Sequence, residues 1–263
     1  MIGLICIDVD GTLVGSGGQV DPAVWEAAAK ARAKGQRLAI TSGRPAFGLA
    51  LDYARRLDPQ GWHIFQSGAS VVQVGDGRSR SVRLRAGQVA ALVERARREA
   101  KPLEVYRDFD YRAERADPIL VRHAALLGVP FVTGDLLTTL HQAVRVQWVI
   151  PDGDRERFLD LGPELSVSSA PSPVMPGVSF LSVTAKGVGK AAAITRLAAD
   201  LGLGLEQVMM VGDGQNDLES VALVGHGVAM GNAEPEVKAA ARHLVRDVDA
   251  GGLAEAIALS WGL

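Results

Sequence analysis

Four aspartates occupy two short stretches of this chain. "ICIDVDGTLV" carries Asp8 and Asp10 one residue apart at the end of an apolar run, and "GDGQND" carries Asp213 and Asp217. Carboxylates brought together in a protein interior are costly unless a positive partner sits among them. Oxygen ligands of this kind suit a hard divalent cation. Mg²⁺ is the expected occupant, because such sites complete their coordination with water and phosphate. Two further stretches supply groups for an anion. "ITSGRP" sets Thr41, Ser42, Gly43 and Arg44 after the second strand and offers a hydroxyl, and "KGVGKAAAITRLAA" places Lys190 after two glycines at the start of a helical pattern. A helix start favours an anion through its free N–H groups and its dipole. A hydroxyl, a lysine, a helix start and a cation around a carboxylate make a phosphate site. Asp8 is then either a metal ligand alone or also a nucleophile that forms an aspartyl phosphate. Lys186 competes with Lys190 for the phosphate role, and Lys190 is preferred.

Rival readings fail on particular residues. The Asp8 stretch is not an EF-hand, because Leu13 stands where the loop needs glycine and Gln19 where it needs glutamate. "GVGKAAA" is not a nucleotide P-loop, since Thr184 and Ala191 replace the required glycine and Ser/Thr. "GSGG" (15–18) fits no dinucleotide fingerprint and reads as a turn, and "DGDRER" (152–157) reads as a helix start with a solvated face. The five histidines lack a partner motif and read as structural. The one cysteine, Cys6, lies in the first apolar run and reads as a small core residue.

The elements that must position these residues alternate. "GLICI" (3–7), "RLAIT" (37–41), "WHIFQ" (62–66), "VMMVG" (208–212), "HGVAM" (226–230) and "HLVR" (243–246) read as strands. Helices are expected over 22–35, with Asp21 as N-cap and Pro22 at its first position, and over 45–57, 188–201, 217–224 and 235–241. Continuous apolar strands alternating with helices predict an α/β fold, a Rossmann-like, doubly wound parallel sheet. In such a sheet ligands gather beyond the carboxyl ends of the strands, and there the candidate residues fall.

The middle of the chain reads differently. Helices are expected over 87–100, after Pro118 and around Thr138, and strands over 103–107, 144–150, 165–170 and 178–183. This is an α+β insert between two halves of one sheet. The expected division is a core from 1–80, an inserted cap domain over 81–183, and a second core portion over 184–263. Between residues 78 and 157 there are 15 Lys and Arg against 11 Asp and Glu, a local excess of 4 that leaves −6 on the remainder of a chain whose total is −2. Either these arginines are solvated helix faces or some of them, among Arg107, Arg112, Arg115 and Arg145, meet an anionic substrate.

Composition bounds the rest. Of 263 residues, 48% are hydrophobic and 22% charged, an ordinary globular balance. The net charge predicts no nucleic-acid or membrane-surface partner. No stretch approaches a membrane span, the N-terminus lacks a basic region, and a single cysteine permits no disulfide framework within the chain. A cytoplasmic location is the expectation.

Taken jointly and in order, "DVDGTLV", "ITSGRP", "GVGKAAAI", "VGDGQNDLES" and "VAMGNAEPEVKAAA" resemble the haloacid dehalogenase superfamily of phosphatases. They are most similar to its Cof-type branch, whose large cap lies between the second and third motifs. The resemblance covers about the whole chain. It implies Asp8 as nucleophile and Asp10 as acid/base. It implies Mg²⁺ held by Asp8, Asp10 (through its carbonyl) and Asp213, with Asp217 a further metal contact, direct or second-layer. Ser42, Gly43 and Lys190 would hold the phosphoryl group, with Asn216 as nearby support. Ser67-Gly68-Ala69 departs from the family's usual Asn-Gly-Ala, and Ser220 from its usual methionine. The function implied is Mg²⁺-dependent hydrolysis of a small phosphate monoester, a sugar phosphate being favoured. The alternatives are a phosphosugar mutase or phosphotransferase on the same core, or a sensor that binds a phosphometabolite without turnover.

Overall fold

The computed structural model describes residues 1–171 and 175–263. It divides into two compact units. The first comprises Met1–Arg44, Ala50–Ser79 and Gly189–Leu263, and the second Pro45–Leu49 and Arg80–Val188.

In chain order the first unit begins with β1 (Leu4–Ile7), α1 (Pro22–Ala33), β2 (Arg37–Ile40), α2 (Leu49–Leu57), β3 (Trp62–Phe65) and β4 (Ser70–Gln73). The second unit contributes α3 (Ala86–Arg98), β5 (Leu103–Tyr106), β6 (Tyr111–Ala113), α4 (Pro118–Leu127), β7 (Arg145–Pro151), β8 (Leu165–Pro171) and β9 (Val178–Ala185). The chain then completes the first unit with α5 (Lys190–Asp200), β10 (Val208–Gly212), α6 (Leu218–Leu223), β11 (His226–Ala229), α7 (Pro235–Ala240), β12 (His243–Leu244) and α8 (Gly252–Leu259).

The first unit is built on a parallel sheet in the order β12-β11-β10-β1-β2. Its central strands are buried along their whole length, as a sheet covered on both faces requires. α1 packs beside α8, while α5 and α7 both pack on α6. β3 joins the far side of β2 through a parallel bridge between Thr41 and Ile64 and pairs with β4 as an antiparallel hairpin. The strand order reverses between β1 and β10. The chain leaves β1 toward β2 on one side and returns through β10, β11 and β12 on the other, so the carboxyl ends of β1 and β10 flank the switch point. The α/β class and the parallel core expected from the alternating pattern are therefore present.

The second unit is an antiparallel sheet in the order β6-β5-β7-β9-β8 with α3 and α4. Leu92 and Val93 of α3, Trp148 of β7, Leu181 of β9 and Phe158 form one apolar cluster. Strand alternation sends the intervening residues to the opposite face, where a polar network is buried. The Glu104 carboxylate accepts hydrogen bonds from Tyr106 Oη (2.8 Å) and Gln147 Nε2 (3.1 Å) and meets His123 Nδ1 of α4 at 3.0 Å. Of the arginines considered for an anion, Arg145 is buried over the Tyr106 ring and Arg107 is engaged by Asp110 and Gln142. Phe47, on the short segment Pro45–Leu49, stacks on Tyr106 and Tyr111.

Several elements differ from the sequence expectation. The helix expected from residue 45 starts only at Leu49, because Gly48 takes a left-handed φ of 60° that no helix accommodates. The segment around Thr138 is a single 3₁₀ stretch, Leu136–Thr139, and Asp152–Phe158 is likewise 3₁₀. β4, β6 and α8 were not expected. β6 is three residues long, and α8 ("GLAEAIAL") has too few polar residues to show an amphipathic stripe.

Candidate active site

Each loop of the site continues a strand. The Asp8 N–H donates to the Val211 carbonyl (3.0 Å), extending the β1–β10 ladder, and the Thr41 N–H donates to Ile7 (2.8 Å), extending β1–β2. Asp8, the Thr41–Arg44 loop and Asp213 thus leave one sheet at neighbouring carboxyl ends. Gly11 turns the first loop with a φ of +81°, and a Cβ there would lie 2.2 Å from Asp213 Oδ2. Only glycine satisfies both the left-handed backbone and the close approach of that carboxylate.

The centre is an ion cluster. Lys190, the first residue of α5, places Nζ 2.6 Å from Asp8 Oδ1 and 2.7 Å from Asp217 Oδ1. Asp8 and Lys190 are each 4% exposed and Asp217 is 0% exposed. The other Asp217 oxygen accepts the backbone N–H groups of Asp213 (3.2 Å) and Gly214 (3.3 Å). Asp217 therefore ties the lysine to the "GDGQND" turn. Asp8, Asp213 and Asp217 each offer an oxygen within 4.8 Å of the others, the one group of this kind among the described residues. Thr12 donates from Oγ1 to Asp213 Oδ1 at 2.8 Å.

Crowding of carboxylates in a dry site leaves an electrostatic signature. Burial pushes Asp8 up to about 7, against the pull of Lys190 and with the push of Asp217. Burial likewise raises Asp213 to about 6, opposed by the Thr12 hydrogen bond. For Lys190, burial pulls downward, but Asp8 and Asp217 outweigh it and the net shift is upward. One lysine is shared by two carboxylates while a third stands alongside. An all-oxygen set with this excess of negative charge fits a hard divalent cation.

The remaining candidates are placed as follows. Ser42 is buried at the end of β2, and its Oγ accepts the Arg44 N–H at 3.1 Å. Gly43 lies beside Ser67, whose Oγ is 3.3 Å from where a Gly43 Cβ would be. Asp10 does not bring its carboxylate into the three-oxygen cluster. It is half out in solvent and held by Arg44, through Nε at 2.9 Å and a second, shorter contact from the other nitrogen of the fork. Asn216 is exposed, outside the Lys190 network. Lys186 belongs to the second unit and is exposed there. The Cys6 thiol is fully buried, and burial raises it to about 12, which suits a core residue and not a nucleophile.

Three residues with structural duties here carried no assigned role in the sequence reading. They are Thr12, Arg44 and Asn232, whose Nδ2 donates to the Gly11 carbonyl at 2.8 Å while its Oδ1 accepts from Val248. All three lie inside the quoted motifs, so the signal was present without a partner to interpret it. The strand-end backbone is also unusual. Gln66 and Ser67 both take positive φ, 51° and 55°, ahead of Gly68.

Against known proteins, the profile of haloacid dehalogenase-like hydrolases matches residues 5–116 and 162–257. The chain belongs to that family, in its Cof-type branch. A candidate phosphatase of Bacillus subtilis, YxeH, is 28% identical over 276 residues, covering 98% of this chain and 97% of its own. An HMP-PP phosphatase of Cronobacter sakazakii is 30% identical over 145 residues, 54% of this chain and 52% of its own. Among solved structures, a haloacid dehalogenase-like hydrolase from Bacteroides thetaiotaomicron superposes with a TM-score of 0.85 at 28% identity, covering 98% of this chain and 99% of its own.

Proposed function

We propose that this protein is a Mg²⁺-dependent phosphatase that hydrolyses a small phosphate monoester, of the sugar-phosphate class, through an aspartyl phosphate on Asp8. The observation that carries the reading is the Lys190 ammonium between Asp8 and Asp217 beside Asp213, at the switch point of the sheet. The names of two relatives, an HMP-PP phosphatase and a 5-amino-6-(5-phospho-D-ribitylamino)uracil phosphatase, support the phosphatase part of this reading.

Asp8, Asp213 and the Asp10 carbonyl would hold Mg²⁺, with Asp217 supporting them, and the bound ion would neutralise charge on the phosphoryl oxygens. Lys190 adds a second positive charge, and Ser42 with the Gly43 N–H orients the phosphoryl group. Lys190 Nζ donates to Asp8 Oδ1, and a carboxylate oxygen of Asp8 attacks phosphorus as the bond to the alcohol oxygen breaks. Asp10 gives that oxygen its proton. It then takes a proton from the water that attacks phosphorus, which releases inorganic phosphate and restores Asp8.

The test is phosphate release from p-nitrophenyl phosphate and a panel of sugar phosphates with Mg²⁺ alone. EDTA abolishes it, and Asp8→Asn stays folded but is inactive. Turnover retained by a clean Asp8→Asn preparation removes the nucleophile. Transfer that requires an acceptor favours a mutase or phosphotransferase, and tight binding without turnover favours a sensor.

A further inference from the structure

The structure assigns Arg44 as the positioning residue for Asp10, fixing the carboxylate that serves as acid and base, an inference that rests on the function proposed above. Arg44 is itself firmly held. Its N–H donates to Ser42 Oγ (3.1 Å) and its carbonyl accepts the Gln66 N–H (2.9 Å), so its backbone is tied to both the β2 and β3 ends. From there the guanidinium reaches across to the β1 loop and grips both oxygens of Asp10. Among the described residues, these are the hydrogen bonds that the Asp10 carboxylate accepts. Its backbone, bridged to Val14, leaves the side chain free to rotate without the fork.

The pair lies at the surface, with side-chain exposures of 34% for Arg44 and 62% for Asp10. An ion pair so exposed contributes little to stability. What it does provide is orientation, since a planar fork on a carboxylate defines the plane of both groups. A bare Asp10 samples several rotamers, and a proton donor that is off by an ångström loses much of its effect. Arg44 is distinguished from a phosphate ligand by the same geometry, because both arms of the fork that face Asp10 are engaged by it.

The experiment compares wild type, Asp10→Asn, Arg44→Met and Arg44→Lys under saturating Mg²⁺. Each is assayed on p-nitrophenyl phosphate and on the best alkyl phosphate of the panel, with rapid-quench measurement of enzyme phosphorylation. Proton donation matters for the alkoxide and little for the nitrophenolate. Arg44→Met is expected to slow phosphorylation by the alkyl ester roughly tenfold or more. The aryl ester step changes little, and Arg44→Lys recovers part of the loss. The melting temperature shifts by no more than about 4 °C. Equal slowing with both esters, or a raised KM for both at unchanged kcat, overturns the assignment. If Asp10→Asn shows the leaving-group effect and Arg44→Met does not, the role of Arg44 alone falls. If wild type hydrolyses no monoester, the function proposed above falls and this role falls with it.

Discussion

Lys190 Nζ lies 2.6 Å from Asp8 and 2.7 Å from Asp217, so one ammonium neutralises parts of two buried carboxylates that are themselves 209 residues apart in the sequence. Removing it leaves buried negative charge without its partner, which costs about 3–5 kcal/mol. If Lys190 holds the phosphoryl group as proposed, its removal also deletes a contact that tightens in the transition state, a loss of roughly 10²-fold or more in rate. Lys190→Ala is expected to show both effects, and Lys186→Ala neither. Urea denaturation and p-nitrophenyl phosphate turnover on the two variants decide the matter. The reverse pattern would sink the placement of the phosphate-binding lysine.

The carboxylate cluster predicts thermal stabilisation by metal. A ligand that binds only the folded state stabilises by about 2.7 kcal/mol at a hundred times its dissociation constant. Mg²⁺ should therefore raise the melting temperature of the wild type, and EDTA should reverse the rise. Asp213→Asn removes one of the three oxygens and should abolish the response without unfolding the protein. An unchanged Mg²⁺ response in that variant would show that the ion binds elsewhere.

His63 makes a pH prediction independent of the site. Its Nδ1 accepts the Ile40 N–H at 3.0 Å and its Nε2 donates to the Asp58 carbonyl at 2.9 Å, so the ring is buried as the neutral tautomer. Burial lowers its pKa from 6.5 to about 4. Between those values the unfolded chain binds the extra proton and the folded chain does not. Stability from this group is full above about pH 6.5, declines as pH falls toward 4, and levels off below. The total is about 3 kcal/mol. His63→Asn keeps an acceptor for Ile40 and loses the titration. Its stability relative to wild type should improve by that amount as pH falls through the window, and parallel pH profiles for the two proteins would refute the prediction.

Two glycines with similar backbone should respond differently to alanine. Gly68 has a φ of +98°, and a Cβ there would sit 2.3 Å from the Gly189 carbonyl oxygen, next to Lys190. Gly77 has a φ of +73° with nothing within 4 Å. Gly77→Ala should cost about 1 kcal/mol, the strain of the left-handed backbone alone. Gly68→Ala must also push the start of α5 away, so it should cost more and lower kcat by displacing Lys190. Equal losses in the two variants, measured by denaturation and turnover, would mean that the close approach at Gly68 is soft.

Much of the scaffold was legible along the chain because its determinants are local. Asp21 caps α1 through Ala23, and Asp117 with Pro118 starts α4 as their residue types predict. The apolar runs ending at Asp8 and Gly212 are buried strands, as their lack of polar alternation implies. Legibility failed where a short element drew its stability from a distant neighbour. β6 exists because β5 pairs with it, and its three residues carry no periodicity of their own.

The same division runs through the site. Residue type and order alone were enough to name Asp8, Asp10, Ser42, Lys190, Asp213 and Asp217 as candidates, because the chemistry considered needs particular functional groups at a strand end or helix start. Which of them touch was settled by strand order and register. Parallel pairing of β1 with β10 sets Asp8 beside Asp213 and Asp217, and the β2 end supplies Arg44 to Asp10. Likewise, "LEVY" reads as a strand on its own, yet only the pairing of β5 with β7 and the packing of α4 make Glu104 the buried acceptor for Tyr106, Gln147 and His123. Local propensity acts over a few residues, whereas a contact spanning 182 positions, such as Lys190 with Asp8, is specified only by the burial and hydrogen-bond satisfaction of the whole sheet.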